Sequence, residues 1–229
     1  TYVAWCWKAG NAWEHNLEGT QSSLINANTG NGFSIVKWKT NGSSSQTVGH
    51  GLSSTPEIIF FKRLDSSQDW YVETNAIDGS YDYGNLEQDA AFTLDDAGAW
   101  STRATSTTIT NFTSSNNFEY IAYCWHSVSG YSKIGSYTGN GSTQSITGLG
   151  FQPDWIMIKG VSSGGAGGWY VFDSERGAEN YLRANVNNAE YIGAEATLTA
   201  FDSDGFSLGN DGYLNGNNYK YLYMAFKHN

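Results

Sequence analysis

Short apolar runs separated by turn residues dominate the hydrophobic pattern of this chain. Continuous apolar runs follow Pro56 and Pro153, and such runs are typical of strands that are buried on both faces. Segments 32–38 and 101–112 instead mix polar with β-branched residues, as half-buried strands do. The best helical window, 178–196, is interrupted by paired asparagines and a glycine, so we expect a turn or two of helix at most. The pattern predicts an all-β fold of the β-sandwich or jelly-roll kind.

The apolar runs belong to a longer internal repeat. The residues from Pro56 to Lys62 match those from Pro153 to Lys159, and the triplet Trp-Tyr-Val at 70–72 returns at 169–171. Repetition of this kind indicates two structural units of about 100 residues each. We therefore predict two homologous β-sandwich units with little helix.

Each repeat ends with a strand-like segment, which we call the closing phrase. It lies at 120–125 and again at 221–226, and a third copy stands at 2–7, where no unit precedes it. Because the chain starts within such a phrase and without Met, we expect a longer precursor. The predicted division is an orphan closing strand with a polar linker at 1–31, a first β-sandwich unit at 32–129 and a second at 130–229.

Composition and charge exclude several partners. Charged residues make up 15% of the chain and aromatic residues another 15%, with 27 Gly and 2 Pro, which suits a folded protein with many tight turns. The net charge of −10 opposes binding to nucleic acid and to anionic membranes. No stretch approaches the roughly 20 apolar residues of a membrane span, so we expect no membrane insertion.

The two cysteines occupy equivalent places in the closing phrases. Cys6 and Cys124 are each flanked by Trp, and the third copy has Ala225 there. A small buried side chain is therefore expected, and two free buried thiols are favoured over a disulfide. Two cysteines are too few for a thiolate zinc site, and the redox compartment stays open.

Signals for catalysis are weak. The four histidines show no metal-binding spacing, and neither a nucleophile elbow nor a phosphate-binding glycine loop is present. Asp173 with Glu175, or Asp82 with Glu87, offers the two carboxylates that a glycosidase needs. Solvated acidic surface is the favoured interpretation, so we expect no enzyme.

Asp202 and Asp204 are candidate calcium ligands. They lie in the sequence Asp-Ser-Asp-Gly, which together with Asn-Asp-Gly at 210–212 is similar to oxygen-rich calcium loops. No Glu stands at the twelfth position from Asp202, and such sequences also form ordinary turns. A structural turn is therefore favoured over a calcium site, and no cofactor is expected.

The tryptophans divide by their position in the repeat. Trp70 and Trp169 recur at one place, which indicates a structural role. Trp13 and Trp100 have no counterpart and fall near loops, so they are the candidates for an exposed ring on which a sugar could stack.

Several phrases resemble a domain of unknown function in structural proteins of marine bacteriophages, cyanophages included. They lie at 2–10, 122–135 and 137–142, and the resemblance extends from Tyr2 to Phe226. Such domains often follow a concanavalin-like lectin domain in tail or fibre proteins. The resemblance implies a component of a virion surface or appendage, and it transfers no catalytic residue.

We thus expect a non-enzymatic structural or adhesive module on a virion surface or in an extracellular setting. Its expected partners are other virion or fibre subunits, including copies of itself, and cell-surface carbohydrate. The alternative is a self-assembling fibre subunit that donates its N-terminal strand to a neighbour. The residues of that strand are Tyr2, Val3, Trp5 and Trp7. A glycan-degrading enzyme is the third and lowest hypothesis.

Overall fold

Every regular element of the described chain is a β-strand. The structure is a computed structural model, and it describes residues 3–43, 46–93, 104–110, 115–162, 167–193 and 196–228. No helix occurs in these ranges, and thus none that could cross a membrane. The prediction of an all-β fold is confirmed.

The strands are short. In the described residues they are, in chain order, β1 (Glu14–Asn16), β2 (Ser23–Asn28), β3 (Phe33–Asn41), β4 (Thr47–Gly49), β5 (Ile58–Arg63), β6 (Tyr71–Thr74), β7 (Asp82–Asn85), β8 (Thr108–Thr110), β9 (Asn116–Trp125), β10 (Ser132–Thr138), β11 (Gln144–Thr147), β12 (Trp155–Gly160), β13 (Trp169–Asp173), β14 (Asn180–Arg183), β15 (Tyr191–Ile192), β16 (Leu198–Asp202), β17 (Gly205–Leu208) and β18 (Lys220–Phe226).

The chain forms two compact units that are not consecutive in sequence. Unit 1 is Thr1–Gln68 with Ala97–His126, and unit 2 is Asp69–Asp96 with Ser127–Asn229. The units therefore differ from the division at 32–129 and 130–229, because residues 69–96 join the second unit. The contacts of this segment explain why.

Hydrogen bonds attach residues 69–96 to the rest of unit 2. The backbone N–H of Phe92 donates to the carbonyl of Val161 at 3.0 Å. The ammonium of Lys159, which is fully buried, donates to the carbonyls of Ala90 at 2.9 Å and Gly167. Burial lowers the pKa of Lys159 from 10.5 to about 8, since the charged form loses its hydration.

The main sheet of unit 1 is antiparallel. Its strands are hydrogen bonded in the order β1-β2-β3-β9-β5, and β4 pairs separately with β8. Val36, Ala122 and Phe61 lie opposite one another on β3, β9 and β5, and all three are buried. Every second side chain along these strands points to the same face, and that face forms the core of unit 1.

Unit 2 packs its core between two sheets. One sheet has the order β10-β18-β12-β13-β14-β15, and the other has the order β11-β17-β16, whereas β6 and β7 form an antiparallel hairpin. Ile156 and Ile158 of the first sheet share one hydrophobic cluster with Phe206 and Leu208 of the second. This is the arrangement of a β-sandwich. All six residues of β12 are buried, as its continuous apolar run predicts.

The central strands follow the same order in both units. In each, the closing strand lies between the opening strand and the strand after the proline, as β3-β9-β5 and as β10-β18-β12. The N–H of Glu57 donates to the carbonyl of Trp125, and the N–H of Asp154 donates to that of Phe226, both at 2.8 Å. The strand order and these bonds agree with the sequence repeat.

Residues 3–10 do not form a strand, so the predicted orphan strand is wrong over its described part. A closing strand pairs with a strand on each side, and in unit 1 that place is filled by β9. The segment instead lies against the sheet, where the rings of Trp7 and Trp125 are 6.2 Å apart. Cys6 is therefore exposed rather than buried, whereas Cys124 is buried as predicted, and neither cysteine forms a disulfide.

The polar linker predicted at 10–31 is also wrong, because it contains β1 and β2. Ser23 and Ile25 alternate with exposed neighbours and are buried at 3% and 8% exposure. This alternation, too short to stand out in a polar stretch, extends the sheet of unit 1.

Unit 2 also contains a buried acid. Glu73 on β6 is 4% exposed, and its Oε1 atom has no hydrogen-bond partner within the described chain. Burial raises the pKa of Glu73 well above its ordinary value of 4.5, because the carboxylate form loses its hydration. The folded protein thus holds a proton that the unfolded chain releases, so this group lowers stability as the pH rises above 4.5.

We expect Glu73→Gln to stabilise unit 2 at neutral pH, because an amide carries no charge to desolvate. The gain in the free energy of unfolding should be on the order of 1–3 kcal/mol near pH 7 and should disappear as the pH falls below about 4.5. Urea unfolding across this pH range measures it. Glu175→Gln, at an exposed position, is the matched control. Equal effects of the two substitutions would contradict the assignment.

Candidate functional site: an open groove in unit 1

An open groove of about 540 Å³ lies beside β2 in unit 1. Its walls come from the segment before β1, from β2 and the turn after it, and from the residue after His50. We call it the unit 1 groove. It is lined by Lys8, Ala9, Gly10, Asn11, Ala12, Glu14, Ile25, Ala27, Asn28, Thr29 and Gly51.

Small and apolar groups form one side of the groove. Ile25 and Ala27 are two residues apart on β2 and so lie on one face of the strand. Gly51 approaches both of them: a Cβ atom at Gly51 would lie 2.3 Å from Ile25 Cδ1 and 3.2 Å from Ala27 Cβ. Gly51 also has a φ of +70°, which favours glycine. Glycine at this position lets the backbone pack closely against Ile25 and Ala27.

The segment before β1 is held close to β2. Asn28 Nδ2 donates to the carbonyl of Lys8 at 3.1 Å, and Asn28 Oδ1 accepts from the N–H of Asn31 at 3.1 Å. A Cβ at Gly10 would lie 2.5 Å from the carbonyl oxygen of Ala27, so a larger residue would push the two segments apart. Asn28 and Gly10 therefore fix the width of the groove.

The rim is polar and is open to a ligand. Lys8, Asn11, Glu14 and Thr29 are exposed, and within the described residues none of their side chains makes a hydrogen bond in the protein. One cation and one anion leave the rim without net charge. Together these groups offer donors and acceptors above an apolar floor.

A buried histidine supports the turn that carries Gly51. His50 is fully buried, and its Nδ1 accepts the N–H of Leu52 at 3.1 Å. Its Nε2 is therefore the protonated nitrogen, which donates to the carbonyl of Thr105 at 3.2 Å. Burial lowers the pKa of His50 below its ordinary value of 6.5, because the cation would lose its hydration.

Among the described residues, the predicted site residues do not line the groove. Trp13 is 51% exposed and stands between two lining residues without lining the groove itself. Trp100 and Tyr2 lie outside the described residues, while Val3, Trp5 and Trp7 belong to the segment that forms no strand. The stacking role of Trp13 and Trp100 stays a prediction.

Asp202 and Asp204 make hydrogen bonds within the protein. Asp202 Oδ2 accepts from the hydroxyl of Ser207 at 2.6 Å, and the two carboxylate oxygens of Asp204 accept from the N–H groups of Gly148 and Gly150 at 3.1 and 2.6 Å. In the described ranges, no group of three or more His, Cys, Asp or Glu residues could hold a metal ion. These carboxylates stabilise turns of unit 2.

The other acidic candidates also make structural contacts. Asp173 is 7% exposed and pairs with Arg176, whose Nε lies 2.7 Å from Oδ2. Glu87 Oε1 accepts the N–H of Trp70 at 2.7 Å, whereas Asp82 is fully buried. Trp169 is 1% exposed, and its indole N–H donates to the carbonyl of Asn85 at 3.0 Å, as expected of a structural ring.

We expect His50→Gln to change how the stability of unit 1 depends on pH. In the wild type the unfolded chain binds a proton more readily than the folded protein, so stability should fall as the pH decreases through 6.5. The variant should be less stable at pH 7.5, since one buried contact is replaced, and its stability should vary less between pH 7.5 and 5. Urea unfolding midpoints measure both effects.

The control for this experiment is His15→Gln on the exposed strand β1. If it flattened the pH dependence as much as His50→Gln, the assignment to His50 would be wrong.

One family model matches the whole chain. It is described as Domain of unknown function (DUF7483), and the match covers residues 1–229. No curated protein and no solved structure matches the chain. The chain therefore belongs to the DUF7483 family of domains of unknown function.

Proposed function

We propose that this domain is a non-enzymatic binding module whose unit 1 groove takes a neutral polar ligand, a saccharide in the first place. The observation that carries the proposal is the combination of an apolar floor with a polar rim that the protein itself leaves unbonded. A groove of about 540 Å³ falls within the usual range of small-molecule sites.

The chemistry of the groove matches that of a sugar ring. A sugar presents C–H groups on its faces and hydroxyls around its edge. The methyl group of Ala27, which is half-buried, suits the C–H groups, and Asn11 and Thr29 can donate to hydroxyls and accept from them. Because Lys8 and Glu14 balance each other in charge, the rim favours a neutral ligand over an acidic one.

The proposed biological setting rests on the sequence resemblance. The resemblance to structural proteins of marine bacteriophages supports a place on a virion surface or appendage, where a module of this kind would contact glycans of the host surface. Other virion or fibre subunits would be its protein partners. Binding is favoured over cleavage, because Asp173 and Glu87 hold structural hydrogen bonds.

A glycan array followed by calorimetry on the best ligand tests the proposal. Asn11→Ala combined with Thr29→Ala removes two rim groups, and we expect affinity to fall roughly tenfold or more, since each lost hydrogen bond costs about 0.5–1.5 kcal/mol. Folding should be unchanged, because neither side chain bonds within the described protein.

The matched control is Asn187→Ala combined with Thr143→Ala, which makes the same two changes at exposed positions of unit 2. We expect it to bind like the wild type. Equal loss in both double variants, or the absence of any glycan ligand at high protein concentration, would refute the groove as a saccharide site.

A second candidate function is a fibre subunit that donates its N-terminal strand. The observation in its favour is that residues 3–7 have the sequence of a closing strand, yet form no strand here, and Val3 is 44% exposed. In an assembly, this segment would add as a strand to a sheet edge of the neighbouring copy.

Deleting residues 1–6 tests strand donation while keeping Trp7, which contacts Trp125. If strand donation links the subunits, the full chain should sediment as an oligomer of its 25.0 kDa subunit, and the truncated chain should sediment as a monomer. Oligomers of unchanged mass would exclude the donated strand.

A further inference from the structure

The outer edge of the unit 1 sheet is open. Strand β1 pairs with β2, and no other strand of the described chain pairs with it, so one side of its backbone has no neighbouring strand. Proteins commonly protect such an edge with lysine, proline, another charged residue or a very short strand. Residues 13–17 contain no lysine or proline, and the protection here is limited to Glu14 and the three-residue length of β1. The edge is therefore available to a further strand.

Apolar side chains surround this open edge. His15 pairs with Leu24, so both point to the same face. Trp13 and Leu17 lie directly before and after β1. Trp13 is 51% exposed, Leu17 is 80% exposed and Leu24 is 36% exposed. Three large apolar groups thus remain in contact with water around one short strand.

We propose that two copies of this chain associate through antiparallel pairing of their β1 strands about a two-fold axis at His15. In this register, Trp13 of each copy faces Leu17 of the other, and the two His15 residues face each other. Glu14 faces Asn16 of the second copy. The interface is isologous, since each contact occurs twice.

Charge selects this register over its neighbours. An axis at Glu14 would place Glu14 opposite its own copy, and an axis at Asn16 would place Glu14 opposite Glu18. Like charges directly opposite each other destabilise a strand pair. The axis at His15 avoids both repulsions and brings the exposed apolar residues together, so the edge is complementary to itself.

The dimer should be weak. A three-residue strand with its flanking side chains buries less than the roughly 1,200 Å² of a standard interface. We therefore expect a dissociation constant on the order of 10⁻⁵ to 10⁻³ M. In this arrangement Trp13 contacts the second copy. It does not line the unit 1 groove, so this contact does not involve the proposed ligand.

Sedimentation over a concentration series up to the millimolar range tests the pairing. The mass of the wild type should rise from 25.0 kDa toward twice that value. Leu17→Asp should stay monomeric, because it places a charge against Trp13 of the other copy. The matched control is Ile192→Asp, since Leu17 and Ile192 are both 80% exposed. A monomeric wild type, or a Leu17→Asp variant that dimerises like the control, would overturn the proposal.

Cross-linking tests the register. Antiparallel neighbours have Cα atoms about 4.5–5.5 Å apart, within the range of a disulfide. In a Cys6→Ser background, His15→Cys should form a disulfide-linked dimer by itself under mild oxidation. Trp13→Cys and Leu17→Cys should cross-link when mixed and not when alone. Cross-linking of Ile192→Cys to the same extent as His15→Cys would contradict the register.

This dimer is distinguishable from strand donation. Deleting residues 1–6 leaves β1 intact, so the His15→Cys dimer should persist in the truncated chain. Loss of the cross-link on truncation, with the fold retained by circular dichroism, would assign the association to the N-terminal segment instead.

Discussion

The backbone ladder of the closing strands is the constraint on which the rest of the structure depends. Both β9 and β18 pair on each side, so their N–H and C=O groups are satisfied within the sheet at the centre of each unit. A buried strand with an unpaired side would carry the cost of unsatisfied polar groups. Once β9 occupies this place, the similar sequence at 3–7 has no position in unit 1, and it lies on the sheet without joining it.

The sequence predicts best where burial is continuous and worst where contacts are distant. The short apolar run at 155–158, bounded by turn residues, favours a strand buried on both faces, and all six residues of β12 are buried. The strands β1 and β2 are hidden in a polar stretch, since only alternate residues such as Ser23 and Ile25 face the core. The place of residues 69–96 depends on Lys159 and Val161, far along the chain, and no local pattern reports such contacts.

The candidate site shows the same limit. Exposed tryptophans attract attention in a sequence, yet the groove is defined by Gly10, Gly51 and Asn28, whose roles are to allow close approach and to hold a segment in place. A glycine in a sequence does not say which atoms come near it. Gly10 and Gly51 lie far from β2 in the sequence, and their roles become apparent when the three segments meet in space.

The membership of residues 69–96 in unit 2 bears on how the chain is made. During synthesis this segment leaves the ribosome well before its partners Lys159 and Val161 do. The remaining part of unit 1, which includes β9, is also made after it. We expect the segment to lack these partners while roughly 70 further residues are added, so the two units finish folding in an interleaved order. For the same reason, a break between residues 129 and 130 would divide unit 2 and would yield no pair of independent halves.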